Sequence, residues 1–131
     1  MNISVISKQA LSLAAINGFL IVTIGAFGAH LLEEKISPEL LEVFNTGVQY
    51  HMFHVVALIT TALLGVVSEK PTKLVWCNVL FLAGIILFSG SLYVLALTGV
   101  TWLGMITPVG GVAFLAGWLL LFLEIIAVRN G

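Results

Sequence analysis

The sequence TGVQYHMFHVVALITTALLGVV, residues 46–67, places two histidines at the start of a long apolar segment. Twenty residues of α-helix are about 30 Å long, which is the thickness of a bilayer's hydrocarbon core. The stretch therefore predicts a transmembrane helix. His51 and His54 are two of the three histidines in the chain. Polar side chains in such a helix mark candidate functional positions.

The composition of the whole chain points to the same class of protein. Hydrophobic residues make up 60% of the 131 residues, and charged residues make up 8%. A soluble domain of this length carries far more surface charge. The net charge of −1 gives no indication of nucleic-acid binding, and one cysteine, Cys77, excludes an internal disulfide or a CxxC site. We expect an integral membrane protein without a nucleic-acid partner.

The apolar segments predict a single domain, residues 1–131, with an all-α four-helix bundle in the membrane. The expected spans are about residues 9–30, 47–67, 74–97 and 107–128. Pro71 ends the second span, and Thr107-Pro108 fits the first turn of the fourth. Ser37-Pro38 fits the start of a short interfacial helix between spans 1 and 2, or an extension of span 2.

The basic residues predict the orientation of the chain. In a four-span protein, the two termini and the loop 68–73 share one side of the membrane. That side carries Lys8, Lys70, Lys73 and Arg129, and the other carries Lys35 beside several glutamates. Because lysine and arginine are enriched on the cytoplasmic side, both termini are expected in the cytoplasm.

Small residues predict where the helices pack. They recur at helical spacing as Gly18, Gly25 and Ala29 in the first span and as Gly110 and Gly117 in the fourth. Small side chains let membrane helices approach closely, and ordinary bundle packing is sufficient to explain them.

Span 2 carries its small and polar residues on one helical face, which should point to the bundle interior or to a partner subunit. That face comprises Gly47, Tyr50, His51, His54, Leu58, Thr61 and Gly65. Polar residues of the other spans reach the same outer leaflet. The resulting candidate ligand-binding residues are His30, Tyr50, His51, His54, Ser91 and Tyr93.

Three interpretations of the histidines remain open. They can form hydrogen bonds between helices, each contributing about 0.5–2 kcal/mol. They can bind a metal, with His30, His51 and His54 as the ligands, although no inward carboxylate or cysteine joins them. They can also form a binding or proton-handling site for a lipid headgroup or a quinone-like ring, because imidazole titrates near neutral pH.

Catalysis has no clear signature in the sequence. Ser89 and Ser91 occur without a GxSxG motif and without an outer-leaflet carboxylate to orient a histidine. No catalytic residue and no cofactor are therefore assigned. Glu124 lies near Lys73 and two other basic residues in the predicted arrangement, which favours an interfacial charge pair.

Four motifs carry a resemblance to a known family. They are GAFGAH at 25–30, TGVQYHMFH at 46–54, FSGSLYVLALTG at 88–99 and TPVGGVAFLAGW at 107–118. Together they resemble the small bacterial membrane proteins grouped as domain of unknown function 423, which have a transmembrane relative in animals. The resemblance implies a four-span plasma-membrane protein. It implies no established activity, so no functional residue can be transferred.

The leading hypothesis is a membrane protein that acts as a binding, accessory or assembly component, with its candidate pocket in the outer leaflet. Membrane lipid is an expected partner, and self-association or a partner membrane protein are open alternatives. The competing hypothesis is an intramembrane enzyme or small transporter that handles metal or protons through His30, His51 and His54.

Overall fold

The computed structural model describes residues 3–128, except the side chain of Ala29. These residues form α-helices and short connecting turns, without a β-strand. The helices are α1 Val5–Thr23, α2 Ala29–Leu32, α3 Pro38–Val67, α4 Thr72–Gly84, α5 Gly90–Thr98 and α6 Thr107–Ala127. A π-helical turn at Ile24–Gly28 joins α1 to α2, and a second at Ile85–Ser89 joins α4 to α5. A 3-10 turn, Thr101–Met105, precedes α6.

These helices form four stretches that are long and apolar enough to cross a membrane. They are span 1, Val5–Leu32; span 2, Pro38–Val67; span 3, Thr72–Thr98; and span 4, Thr101–Ala127. The shortest spans have 27 residues, or about 40 Å of helix, which exceeds the hydrocarbon thickness of about 30 Å. The predicted all-α membrane fold with four spans is confirmed.

Of the two alternatives for the segment after Ser37, the structure shows the extension of span 2: the segment is the first part of that span and does not form a separate interfacial helix. The Ser37 hydroxyl accepts the Leu40 N–H at 3.3 Å, and Pro38 occupies the first turn. No further proline interrupts the helix before its end. Phe44 is buried, with its ring centroid 5.3 Å from that of Tyr93. This contact holds the segment against the bundle.

Spans 2 and 3 form the centre of the bundle. Span 1 packs mainly against span 2, and span 4 packs mainly against span 3. The core cluster consists of Ala14, Ala57, Leu58, Leu74, Cys77, Phe81, Ile85, Phe114 and Leu121. The outer spans therefore present most of their surface to the bilayer.

Aromatic rings pack onto glycines between spans 3 and 4. Phe81 of span 3 lies against Gly117 of span 4, where an added Cβ would be 2.7 Å from its ring. Conversely, the ring of Phe114 in span 4 lies against Gly84 in span 3. The pair is reciprocal, so each helix provides both a ring and a gap for its neighbour.

Glycines of span 1 face valines of span 2. An added Cβ at Gly25 would lie 3.4 Å from Val48, and one at Gly18 would lie 3.8 Å from Val55. Both glycines therefore lie at the interface between these spans. The packing predicted for Ala29 lies outside the described side chains.

Spans 1 and 2 project beyond span 3 on the side of the loop that joins them. Tyr93 of span 3 contacts His51 of span 2, which fixes their relative height. Span 3 ends at Thr98, about 7.5 Å beyond Tyr93, whereas span 2 starts at Pro38, about 20 Å beyond His51. The ends of spans 1 and 2, together with the loop between them, therefore project roughly 12 Å beyond the end of span 3. We call this projecting part the helical hairpin.

Candidate ligand site and polar network

His51 connects three spans through hydrogen bonds. Its Nδ1 lies 3.0 Å from the Tyr93 hydroxyl, and its Nε2 lies 3.2 Å from Oδ1 of Asn17. The Asn17 amide nitrogen donates to the Leu13 carbonyl at 2.9 Å, so its Oδ1 is the acceptor toward the histidine. His51 therefore carries its proton on Nε2, and Nδ1 accepts from Tyr93.

His54 connects span 2 to span 4. Its Nδ1 donates to the Tyr50 carbonyl at 2.7 Å, and its Nε2 accepts the indole N–H of Trp118 at 3.1 Å. A carbonyl can only accept and an indole N–H can only donate, so the proton lies on Nδ1. The imidazole stacks on Phe114 with a centroid separation of 3.4 Å. His54 thus has the opposite tautomer to His51.

A third polar contact joins spans 3 and 4. The Ser91 hydroxyl donates to the Phe88 carbonyl at 2.9 Å and lies 2.7 Å from the Thr107 hydroxyl, from which it accepts. Ser89, two residues earlier, is fully buried, and its hydroxyl has no hydrogen-bond partner among residues 3–128. The network therefore connects all four spans but leaves this hydroxyl out.

The structure brings together only part of the predicted ligand-binding set. Tyr93 meets His51, whereas Tyr50 stacks beside His54 with centroids 6.4 Å apart. Tyr50 was expected on the inward face, but it is 45% exposed because it lies at the edge of that face. His30 is exposed near the end of span 1 that leads into the loop to span 2.

A metal site formed by His30, His51 and His54 has no support in this geometry. Within residues 3–128, no three or more His, Cys, Asp or Glu side chains are grouped as metal ligands. Both ring nitrogens of His51 and of His54 are bonded to protein groups. Binding a metal would require breaking these bonds.

A lateral aromatic surface covers His54 on the side that faces the bilayer. We define it as Tyr50, Phe53 and Trp118, which are 45%, 59% and 37% exposed. The rings of Phe53 and Trp118 are 5.5 Å apart, and Phe53 meets His54 edge-on at 5.3 Å. The surface places aromatic rings and one phenol at the lipid boundary.

Two members of this network were missing from the predicted site. Asn17 lies beside the small-residue stripe of span 1, and this position is a signal for an inward-facing amide. Trp118 gave no comparable signal, because its contact with His54 depends on how span 4 is rotated against span 2. Tertiary packing determines that rotation.

The other half of the bundle has fewer polar contacts. The Thr61 hydroxyl lies 2.9 Å from Oδ1 of Asn78, and Ser7 donates to the Gly65 carbonyl at 3.2 Å. Lys73 and Glu124 form an ion pair at 2.6 Å. The expected interfacial charge pair of Glu124 is therefore confirmed for this lysine.

The fold and this network define a multi-pass α-helical membrane protein whose spans are cross-linked by buried polar side chains. The model of the family described as protein of unknown function, DUF423, matches residues 24–111, and the chain belongs to this family. The predicted family membership is confirmed. No solved structure matches the chain.

Named relatives cover almost the whole chain. UPF0382 membrane protein YwdK of Bacillus subtilis is 47% identical over 87% of this chain and 93% of its own length. UPF0382 membrane protein SAB0533 of Staphylococcus aureus is 45% identical over 88% and 93%. UPF0382 inner membrane protein YgdD of Escherichia coli K12 is 39% identical over 95% and 94%. The protein is a multi-pass protein of the inner, or plasma, membrane, as predicted.

Proposed function

We propose that the protein is a non-catalytic binding or accessory component of the membrane, and that it recognises a ring-bearing lipid ligand in the outer leaflet. The observation that carries this proposal is the lateral aromatic surface over His54. The ligand class is a lipid-soluble planar ring of the quinone type. The orientation that makes this leaflet the outer one rests on the basic residues.

The state of the histidines favours binding over catalysis. Within residues 3–128, neither His51 nor His54 contacts a carboxylate, and all four of their ring nitrogens are bonded to protein groups. A general base needs a free nitrogen directed at its substrate. The imidazoles therefore support the architecture, and the rings of the lateral aromatic surface remain available to a ligand.

The chemistry of the surface fits a planar ligand with a polar edge. Tyrosine and tryptophan combine a flat apolar body with a hydrogen-bonding tip, and aromatic pairs favour offset or edge-on contact. The ring centroids of Tyr50 and Phe88 are 4.4 Å apart, so Phe88 supports the tyrosine ring from the protein side. A ring that enters from the lipid can stack on Tyr50 or Trp118 without displacing the buried network.

Tryptophan fluorescence provides the test, because the chain has three tryptophans. A protein with Trp76→Phe and Trp102→Phe retains Trp118 as its reporter and is placed in nanodiscs. Titration with a short-chain benzoquinone should quench Trp118 saturably, and Tyr50→Leu should weaken the affinity several-fold. The matched control retains Trp102, which is 60% exposed, and carries Trp76→Phe and Trp118→Phe.

The two reporters distinguish specific binding from partition into the bilayer. Specific binding gives saturable quenching at Trp118 and linear quenching at Trp102. Equal, linear quenching of both reporters would show partition alone and would refute the proposed ligand class.

A second candidate function, proton-coupled transport, is favoured by the row of polar groups across the bundle. Tyr93, His51 and Asn17 are bonded in sequence, and the Thr61–Asn78 pair lies farther along. A pH-sensitive dye inside proteoliposomes can test this candidate. Transport predicts a proton flux that His51→Gln abolishes, and the binding proposal predicts no flux above that of protein-free liposomes.

A further inference from the structure

The lateral aromatic surface has one polar group that the protein leaves unused, the hydroxyl of Tyr50. The indole N–H of Trp118 donates to His54, and the other imidazole nitrogen of His54 donates to the Tyr50 carbonyl. Phe53 has no polar group in its side chain. Within residues 3–128, Tyr50 enters the hydrogen-bond network through its carbonyl and not through its hydroxyl. The hydroxyl is therefore the donor that remains available to a ligand on this surface.

The ring of Tyr50 is held below the level of the membrane surface. It lies beside the His54 imidazole, which is one helical turn farther from the hairpin end of the bundle. It also lies beside Phe88, which precedes Tyr93 by five residues in the antiparallel span 3. Because Tyr93 is level with His51, Phe88 is about 7.5 Å farther from the hairpin end than that pair. Packing against these deeper side chains directs the Tyr50 ring into the hydrocarbon and away from the lipid headgroups.

At this depth, the chemistry of the bilayer leaves the hydroxyl without a partner. Tyr50 is 45% exposed on the side that faces the lipid. Acyl chains have no hydrogen-bond acceptor, and a polar group without a partner in hydrocarbon costs free energy. A ligand that brings an acceptor to this point is therefore favoured over an apolar ring of the same shape.

Neighbouring rings hold the tyrosine in one orientation. The Tyr50 ring is nearly parallel to those of His54 and Phe114, with angles of 11° and 16° between the planes. The ring centroid of Phe88 is 4.4 Å away on the protein side. The ring cannot turn without disturbing this packing, so little ordering is required when its hydroxyl bonds to a ligand.

We infer that Tyr50 selects the ligand of the lateral aromatic surface by donating a hydrogen bond to a carbonyl oxygen on the ligand's ring. Trp118 and Phe53 provide the contacts with the face of that ring. The inference rests on the proposed function, and it narrows the ligand class to planar rings that carry a carbonyl acceptor at their edge. Tyr50 is then the residue that determines specificity, and the other two rings determine how tightly any flat apolar ring is held.

Two ring compounds of the same shape can test the inference with the reporter protein that retains Trp118. Tetramethyl-1,4-benzoquinone carries two carbonyls, and 1,2,4,5-tetramethylbenzene carries hydrogens at the same positions. In nanodiscs, quenching of Trp118 measures the affinity for the quinone, and displacement of the quinone measures the affinity for the hydrocarbon, both per lipid. The reporter protein should bind the quinone about three- to ten-fold more tightly, which is the range that one hydrogen bond supplies.

Tyr50→Phe removes the hydroxyl and keeps the aromatic ring. It should lower the affinity for the quinone to that for tetramethylbenzene, and it should leave the affinity for tetramethylbenzene unchanged. Thr60→Val is the matched control, because it removes an exposed hydroxyl of the same span that bonds within its own helix. This control should keep the preference for the quinone.

The outcomes separate this inference from the function on which it rests. Saturable binding with equal affinities for the two compounds, or an unchanged quinone affinity in Tyr50→Phe, would overturn the role of the hydroxyl and retain the aromatic surface as a binding site. Quenching of Trp118 that does not saturate with the quinone would refute both.

Discussion

Each buried imidazole acts as a cross-link because both of its nitrogens bond to other protein groups. His51 bonds to spans 1 and 3, and His54 bonds to span 4 and to its own helix. In a bilayer, such a side-chain pair contributes about 0.6 kcal/mol on average and up to about 1.7 kcal/mol. Leaving one partner buried and unbonded costs about 1–3 kcal/mol. The histidines therefore contribute more to specificity of packing than to total stability.

The pair His51 and Tyr93 should show a measurable coupling energy. We predict that a double-mutant cycle with His51→Phe and Tyr93→Phe gives a coupling of about 0.6–1.7 kcal/mol in the free energy of unfolding in mixed micelles. A control cycle combines His51→Phe with Thr60→Val, since Thr60 is exposed and bonds within its own helix. A coupling no larger than in the control would contradict the contact.

Ser89 and Ser91 should respond oppositely to the same substitution. In an α-helix, a serine hydroxyl often bonds the carbonyl four residues earlier. Here the π-helical turn directs the Ile85 carbonyl to the Gly90 N–H, and the Ser89 hydroxyl is left without a partner. Ser89→Ala should leave the free energy of unfolding unchanged or raise it, by up to about 1–3 kcal/mol.

Ser91→Ala is the matched control, because this hydroxyl bonds to Thr107 and to a carbonyl. It should lower the free energy of unfolding by about 1 kcal/mol. Thermal unfolding in detergent checks both variants. A clear loss of stability in Ser89→Ala would mean that its hydroxyl is bonded after all.

At the scale of elements, the π-helical turn of span 3 determines where span 4 packs. Gly110 lies against the backbone of this turn, and an added Cβ would be 2.8 Å from the Cα of Phe88. Backbone atoms cannot rotate away as a side chain can. The two helices therefore approach as closely as a glycine permits, and the Ser91–Thr107 contact is made at this closely packed interface.

Gly110→Ala should lower the free energy of unfolding by about 1–3 kcal/mol, because the added methyl group forces spans 3 and 4 apart. Gly111→Ala is the control, since its added Cβ would meet only the Phe88 ring at 3.8 Å. Unfolding in mixed micelles measures both. If the two variants were equally stable, the packing of the turn against span 4 would be incorrect.

At the scale of the whole molecule, the charge difference between the two ends predicts the orientation in the membrane. We expect the loop at Glu69 to face the cytoplasm and the turn at Val100 to face outward. In a Cys77→Ala background, Glu69→Cys and Val100→Cys provide single reporters. An impermeant maleimide on right-side-out vesicles should label residue 100, and residue 69 only after permeabilisation. The reverse pattern would invert the topology and move the aromatic surface to the cytoplasmic leaflet.

Most of the fold follows from the sequence because apolar length and turn residues are local signals. The four predicted spans are found: span 2 ends at Val67, within the predicted range and before Pro71, and span 3 ends just before Gly99, whose φ of 70° favours glycine. The sequence leaves the segment after Ser37 open between an interfacial helix and an extension of span 2, and the structure shows the extension. Its first turns carry glutamates and look interfacial, although Phe44 holds them in the bundle.

The candidate site was less predictable because it depends on the rotation and height of neighbouring helices. Helical spacing identified the face with His51 and His54, but it placed Tyr50 inside rather than at the edge. It also could not identify Trp118 as the partner of His54. The two π-helical turns change the rotation of spans 1 and 3, and no motif in the sequence predicted them.

Protein partners fix both span-2 histidines in opposite neutral tautomers. Nitrogen-15 NMR of histidine-labelled protein in nanodiscs near neutral pH tests it directly, with His51→Gln and His54→Gln to assign the signals. We predict a proton on Nε2 of His51 and on Nδ1 of His54. Two identical tautomers, doubly protonated rings, or shifts typical of metal-bound nitrogen would contradict this assignment of the two protons.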